Sequence, residues 1–269
     1  MKTVLGISGL TVRYGGVVAL SDVALSVGEG ELVGLIGPNG AGKTTCIDAI
    51  SGFAKSRGTV ELDGRAIDRL PPHVRSQRGL ARTWQLGELF EDLTIRENLS
   101  VAALPSSFAL AVRDVFSPRI REDPRIDNLI QELGLADIAD RSAAELTEGQ
   151  RKLVGVGRAL ASRPQVVLLD EPGAGLDSSE SIQLGRTLRS LLSQGTGMLL
   201  VDHDMGLVMS VCDRIVVLDF GEVIANGTPD EVRADDAVIA AYLGGSATST
   251  DRRPPALTTA AATAEVAGR

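Results

Sequence analysis

The chain of 269 residues carries 27 Lys and Arg against 35 Asp and Glu, a formal net charge of −8, with 43% hydrophobic and 23% charged residues. That length allows one large domain or two small ones with a sizeable core, and the acidic balance argues against nucleic acid as the main partner, since such binding rests on clustered cations. No apolar run approaches the roughly 20 residues that span a bilayer, and the start, MKTVLGISGL, has no signal-peptide stretch, so a cytosolic protein is expected, with any membrane role through a partner.

In chain order, residues up to about 30 alternate and turn often (ISGLTVRYGG, then VVALSDVALSVGEGE), which predicts short antiparallel strands joined by Gly-rich turns. ELVGLIG (31–37) is a compact apolar strand that runs into a glycine loop and then a helix, TTCIDAISGFAKS, with Cys46, Ile47, Ile50 and Phe53 on one face. Cys46 and the distant Cys212 match no metal spacing and read as buried reduced thiols, a disulfide being the alternative.

From roughly 86 to 163 the strand signal fades. IDNLIQELGL sets Ile126, Leu129, Ile130 and Leu133 at helical spacing with Gly134 as the stop, and RKLVGVGRALASRP reads as a second helix ending before Pro164. Gly155 and Gly157 inside it each cost about 1 kcal/mol against alanine and predict close packing against a neighbouring backbone. The stretch reads as a helical subdomain inserted into an α/β core. QVVLLD (165–170), GMLLVD (197–202) and RIVVLD (214–219) are near-continuous apolar runs, the pattern of a parallel sheet covered on both faces. Each ends in an aspartate, at the edge where open α/β sheets bind ligands. GTPDEV offers a cap at Thr228 with Glu231 three residues on, and a last helix, AVIAAYL, stops at Gly244-Gly245. Residues 246–269 are rich in Ala, Thr, Ser and Pro and are expected to be a disordered tail, which leaves one domain over 3–245.

GPNGAGKT (37–44) fits the phosphate-loop pattern G-x-x-x-x-G-K-[ST]. Its backbone N–H groups curl around phosphate oxygens, Lys43 adds charge at the β and γ phosphates, and the Thr44 hydroxyl can ligate Mg²⁺. Asn39, Gly40, Ala41, Gly42, Lys43, Thr44 and Thr45 are therefore the candidate nucleotide-binding residues. A plain Gly-rich turn is the bland alternative; a strand before and a helix after the loop favour the phosphate reading. In VVLLDEP (166–172), Asp170 can hold Mg²⁺ through water and Glu171 is placed to polarise an attacking water. His203, past another strand end, suits a γ-phosphate contact, although a lone histidine is more often structural. LTEGQRKL (146–153) reads as a helix start capped by Thr147 with Gln150 reaching back, hence an anion site, with Glu148 its odd anion.

In this order the elements resemble the ATPase subunit of ABC transporters over residues 5–244: Tyr14 before the first glycine turn, the phosphate loop, Gln85 in ARTWQLGELF, the signature LTEGQ, Asp170–Glu171 followed by AGLD, and His203. The resemblance implies an α/β P-loop NTPase of the ABC ATPase type, a mixed sheet core with an antiparallel β subdomain and an inserted helical subdomain at about 86–163. It implies ATP and Mg²⁺ as cofactors. Tyr14 would stack on adenine, Glu171, His203 and Gln85 would serve catalysis, and Gln85 would join Thr44 and Asp170 around the metal while contacting a membrane partner. Thr147, Gly149 and Gln150 would cap the γ-phosphate held by a second subunit, with Asp177 across that interface, so one cassette per chain implies a dimer with itself or a related ATPase. The signature departs from LSGGQ at Thr147, which keeps the hydroxyl, and at Glu148, whose side chain is expected to point away from the nucleotide.

ARTWQLGELFEDLTIRENL, DEPGAGLD, HDMGLVMSVCDRIVVLDFGEVIANGTPDEV and AAYLGG are similar to the ATPases of branched-chain amino acid importers, and lipid exporters and amide importers use similar subunits. The resemblance implies transmembrane permease partners, indirectly a solute-binding protein, no nucleic acid, and a place on the cytoplasmic face of the membrane. The permease surface is expected at 86–90 (LGELF) and on to 98, packing of the subdomain being the alternative. Competing readings are a soluble ABC ATPase of a cytosolic assembly system and a nucleotide switch with little hydrolysis, against which Glu171 and His203 argue.

Overall fold

Two strands of twelve residues open the chain, β1 (Thr3–Tyr14) and β2 (Val17–Gly28), joined by a tight turn. The computed structural model describes residues 1–83, 89–104, 123–192 and 195–244. β4 (Ser56–Leu62) pairs with the other edge of β1, and β5 (Arg65–Ala66) follows it, giving an antiparallel sheet of order β2-β1-β4-β5. The expected short strands are thus two long ones. Register shifts along β1 and β2 absorb their irregular alternation, as bulges do.

The second sheet has the order β10-β9-β3-β8-β7-β6, with β3 (Leu32–Ile36), β6 (Leu80–Arg82), β7 (Val166–Asp170), β8 (Gly197–Val201) and β9 (Arg214–Asp219) parallel and β10 (Glu222–Gly227) antiparallel to β9. Alternate side chains point to opposite faces of a strand. Val33, Leu35, Val166, Leu168, Leu199 and Val216 accordingly join the core shared with the antiparallel sheet and α1 (Lys43–Ser51). Leu32, Ile36, Val167, Leu169, Leu200 and Val217 join the core built from the remaining helices. These are α3 (Ile95–Ala103), α4 (Pro124–Glu132), α5 (Glu148–Ala161), α6 (Ser178–Leu191), α7 (Met205–Val211), α8 (Pro229–Ala234) and α9 (Asp236–Gly244), while α2 (Pro72–Gln77) leads into β6.

Local signals set several helix ends. Thr147 and Gln150 form a reciprocal capping box at the start of α5, and Thr228 and Glu231 form another at α8, with Pro229 in the first turn. Gly134 follows α4 at φ 69°, the left-handed stop. Phe53 departs from expectation. α1 ends at Ser51 because Gly52 turns left-handed, so Phe53 lies past the helix and is exposed. The two helical glycines also differ from expectation. Gly157 fits against the Leu99 and Leu133 side chains rather than a backbone, and among the described residues nothing packs against Gly155. Cys46 and Cys212 are buried free thiols, and burial pushes the Cys46 thiol up to about 12. Among the described residues, no helix is long and apolar enough to cross a membrane.

The step from β3 into the phosphate loop depends on Gly37, at φ 151°, where a Cβ would overlap the Leu218 carbonyl oxygen of β9. Gly40, also at positive φ, meets nothing. Gly37→Ala is expected to lower the unfolding free energy by about 3 kcal/mol, and Gly40→Ala by about 1–2 kcal/mol, the cost of the left-handed backbone alone. Urea unfolding of both variants measures the difference; equal losses would show that the Leu218 carbonyl yields.

Candidate nucleotide-binding site

The phosphate loop joins β3 to α1 with Gly42 at the N-cap position, φ 106°. No side chain caps α1 and no acidic residue stands in its first turn. Its leading N–H groups therefore lack a side-chain acceptor, and they carry the positive end of the helix dipole toward whatever sits in the loop. Lys43 Nζ donates to the carbonyls of Gly37 (2.7 Å) and Pro38 (3.0 Å), arching over its own loop. Burial holds its pKa below the ordinary lysine value, and the nearby Glu171 charge opposes that. Outside, the loop is fastened by the Gly221 N–H, which donates to the Ala41 carbonyl (2.9 Å), and Gly42 sits too close to Ala19 and Leu20 to admit a Cβ. Thr44 and Thr45 follow in the first turn of α1.

At the end of β7 the Asp170 carboxylate is 3% exposed. Its Oδ2 accepts from Arg82 Nη2 (2.9 Å), and its backbone N–H donates to Thr83 Oγ1 (3.0 Å). Its Oδ1 is buried with no hydrogen-bond partner among the described residues. A buried carboxylate oxygen without a donor is costly, and a hard cation or its water would satisfy it; the donor set of Asp170 and the Thr44 hydroxyl fits Mg²⁺. Glu171 adopts φ 49°, a strained backbone for a non-glycine residue, fixed by its N–H donating to Val201 of β8 (2.7 Å).

Beyond Glu171, the Gly173 N–H donates to Asp202 Oδ2 (2.8 Å), while Asp202 Oδ1 accepts from the Asp204 N–H (2.9 Å). The buried Asp202 thereby ties the end of β7 to the end of β8. His203, exposed between the two aspartates, has Nδ1 3.7 Å from Asp202 Oδ1. Tyr14 is exposed at the tip of the β1–β2 hairpin. Gln85 lies outside the described residues.

The signature residues Thr147, Gly149 and Gln150 start α5, and a Cβ on Gly149 would meet Glu180 Oε1 at 2.9 Å. Glu180 shares a capping box with Asp177 at the start of α6, so the signature and Asp177 are neighbours. Glu148 is exposed, with its carboxylate 3.9 Å from Lys152 one turn along its own helix. The segment expected to meet a permease divides. Leu89 packs into the helical core, whereas Phe90 is open to solvent with the Arg158 guanidinium 5.0 Å from its ring centre; 86–88 lie outside the described residues. Buried Asn98 holds that loop, accepting from the Phe90 N–H (2.9 Å) and donating to its carbonyl (3.0 Å).

Sequence reasoning missed Arg82, Thr83 and Asp204 altogether. Arg82 left one faint sign, a charged residue where β6 meets its loop. Asp202 stood out only as one of three strand-end aspartates.

A strand opening through GPNGAGKT into an uncapped helix, with carboxylates at a strand end two places away, is the layout of a P-loop nucleotide-binding cassette. The profile of the ABC transporter family matches residues 20–174, more than half of the chain, and the chain belongs to that family, whose cassettes hydrolyse ATP. A second profile, described as branched-chain amino acid ATP-binding cassette transporter, matches residues 222–248. The chain is 39% identical over 251 residues to BraF of Pseudomonas aeruginosa, a high-affinity branched-chain amino acid transport ATP-binding protein, covering 90% of this chain and 98% of BraF. It is 36% identical over 243 residues to LptB of Haemophilus influenzae, a lipopolysaccharide export system ATP-binding protein, covering 90% and 98%. A crystal structure of an ABC transporter cassette in its ADP conformation superposes with a TM-score of 0.79 at 30% identity, covering 91% of this chain and 100% of that one.

Asp204 gives the site a measurable acid dependence. It caps α7 by accepting from Gly206 (2.9 Å) and Leu207 (3.1 Å) and accepts from Ser181 Oγ (2.8 Å). The Ser181 hydrogen bond, opposed by burial and helped by the two N–H groups, holds its pKa below the ordinary carboxylate value. Its contribution is therefore complete above the unfolded pKa of about 3.9 and is lost as pH falls through the lower folded pKa. Asp204→Ala is expected to cost about 1–2 kcal/mol at neutral pH, a deficit that shrinks below about pH 4 in urea unfolding. A deficit independent of pH would assign the cap's contribution to packing.

Proposed function

We propose that this chain is the ATP-hydrolysing subunit that energises an ABC importer for branched-chain or related amino acids, one of two cassettes seated on transmembrane permeases. The reading is carried by an intact hydrolytic strand end, Asp170–Glu171 beside the phosphate loop, in a chain that matches BraF over nearly its whole length. A lipid-export ATPase is the second reading, carried by the likeness to LptB.

In this reading the N–H groups of residues 39–45 and Lys43 hold the phosphates, Lys43 exchanging its bonds to Gly37 and Pro38 for phosphate oxygens. Tyr14 stacks on the base. Thr44, Asp170 and Gln85 would hold Mg²⁺, which when bound neutralises charge on the β and γ phosphates. Glu171 accepts a proton from the water that attacks the γ-phosphorus; the new O–P bond forms as the bond to the bridging oxygen of ADP breaks. His203 lies on the γ-phosphate side. Thr147, Gly149 and Gln150 of a second subunit complete the site, with its Asp177 alongside, so hydrolysis requires the pair to close. Catalysis is mostly positioning and charge neutralisation.

For the permease, a groove of about 1040 Å³ lies beside Phe90, lined by Arg78, Arg158 and Arg163 and by Arg125, which is paired with Asp123; it suits a polar segment of the partner. Glu171→Gln is expected to keep ATP binding and lower hydrolysis by at least about a hundredfold. Tagged and drawn from solubilised membranes, the same variant should bring down one or two multispanning permeases, whose identity separates amino-acid import from lipid export. Undiminished hydrolysis would remove Glu171 from its role; recovery of soluble partners alone would overturn the transport reading.

A further inference from the structure

We infer that Arg82 is the positioning residue for the Asp170 carboxylate: its guanidinium fixes one oxygen, leaves the other for the hydrated metal ion, and ties that carboxylate to the helix of the phosphate loop. The inference rests on the metal reading given above for Asp170.

Arg82 is the last residue of β6, one strand away from Asp170 at the end of β7. Its side chain and that of Asp170 are almost wholly buried. Nη2 donates to Asp170 Oδ2 at 2.9 Å, and Nη1 donates to Asp48 Oδ1 at 2.6 Å and to Ser51 Oγ at 3.3 Å. Asp48 and Ser51 belong to α1, so one planar fork spans the two elements that carry the phosphate loop and the strand-end carboxylate. A lysine ammonium offers no such rigid fork.

Thr83 completes the hold by accepting the Asp170 N–H, so the Asp170 backbone and one carboxylate oxygen are both fixed. The remaining oxygen, Oδ1, is buried and has no partner among the described residues. If the cluster served only to stabilise the fold, that oxygen would be an unrelieved cost, since a buried ion pair confers little net stability even when fully satisfied. With one oxygen held, the other has a fixed place, the arrangement by which residues behind a metal ligand tune its affinity. Thr83 runs directly into residues 84–88, which include Gln85, and Arg82 also lines the groove beside Phe90. What fills the groove thus meets the residue that holds Asp170.

The test uses the full chain carrying Glu171→Gln, so that ATP persists, and measures ATP affinity calorimetrically in EDTA and in excess Mg²⁺. The ratio of the two affinities is the gain conferred by the metal. Adding Arg82→Met is expected to lower that ratio about tenfold, over and above any loss that the loosened hold on α1 imposes equally in EDTA and in Mg²⁺. Arg82→Lys, which keeps the charge and guards against a misfolded methionine variant, is expected to lower the ratio by a smaller factor. A merely structural role would weaken binding equally with and without Mg²⁺, or would leave the ratio intact in both variants; either result overturns the proposal. A parent protein that binds ATP but gains nothing from Mg²⁺ would fail the metal reading itself and the proposal with it, a result visible before any Arg82 variant is made.

Discussion

Every side chain of β3, β7 and β8 is buried, and the four central residues of β9 are too. A parallel strand packed on both faces has no position that looks at solvent, so a polar group placed along it would need a partner inside the core. Chemistry can only occupy the ends. Burial relents just past these ends: in the loop from Gly37 after β3, at Glu171 after Asp170 on β7, and at His203 and Asp204 after β8. The apolar runs that build the sheet therefore also decide where its polar residues gather.

Two arginines that reach into the interior, Arg75 and Arg214, have several partners each. Arg75 gives its hydrogen bonds to the carbonyls of Ala49, Ile50, Leu70 and Asp68, closing the C-terminal end of α1, where orphan carbonyls need donors. Burial lowers its pKa from the ordinary arginine value. Arg214 reaches Glu31, Asn226 and the Ser26 carbonyl, joining β9 to the edge of the antiparallel sheet. With Arg82 on its flank and Lys43 at its head, α1 is held at both ends and along its length. A planar fork can satisfy several acceptors at once, which makes arginine the cation suited to such joints.

What was legible in the sequence were features whose physics is local. The phosphate loop reads directly because its glycines and lysine specify a backbone shape, and the caps at Thr147 and Thr228 because donor and acceptor stand three residues apart. The apolar strands read directly because burial on both faces leaves nothing else for those positions. The hold on Asp170 did not, since Arg82 finds its acceptors 34 residues before it and 88 after. Phe53 misled for a related reason: its apolar spacing continues the face of α1, but Gly52 ends the helix before that spacing counts. The lengths of β1 and β2 were hidden by their register shifts, which break the alternation that marks a long strand.

The strand order carries one more consequence. β3 and β7 are not neighbours; β8 lies between them, and Leu200 of β8 aligns with Gly34 on one side and Leu169 on the other. The points where β3 and β7 leave the sheet are thus set apart by two strand spacings, about 10 Å. The intervening strand acts as a spacer of fixed width, one that no rotamer change can shorten. Whatever joins the two banks must bring its own length, as the Arg82 fork does between Asp48 of α1 and Asp170.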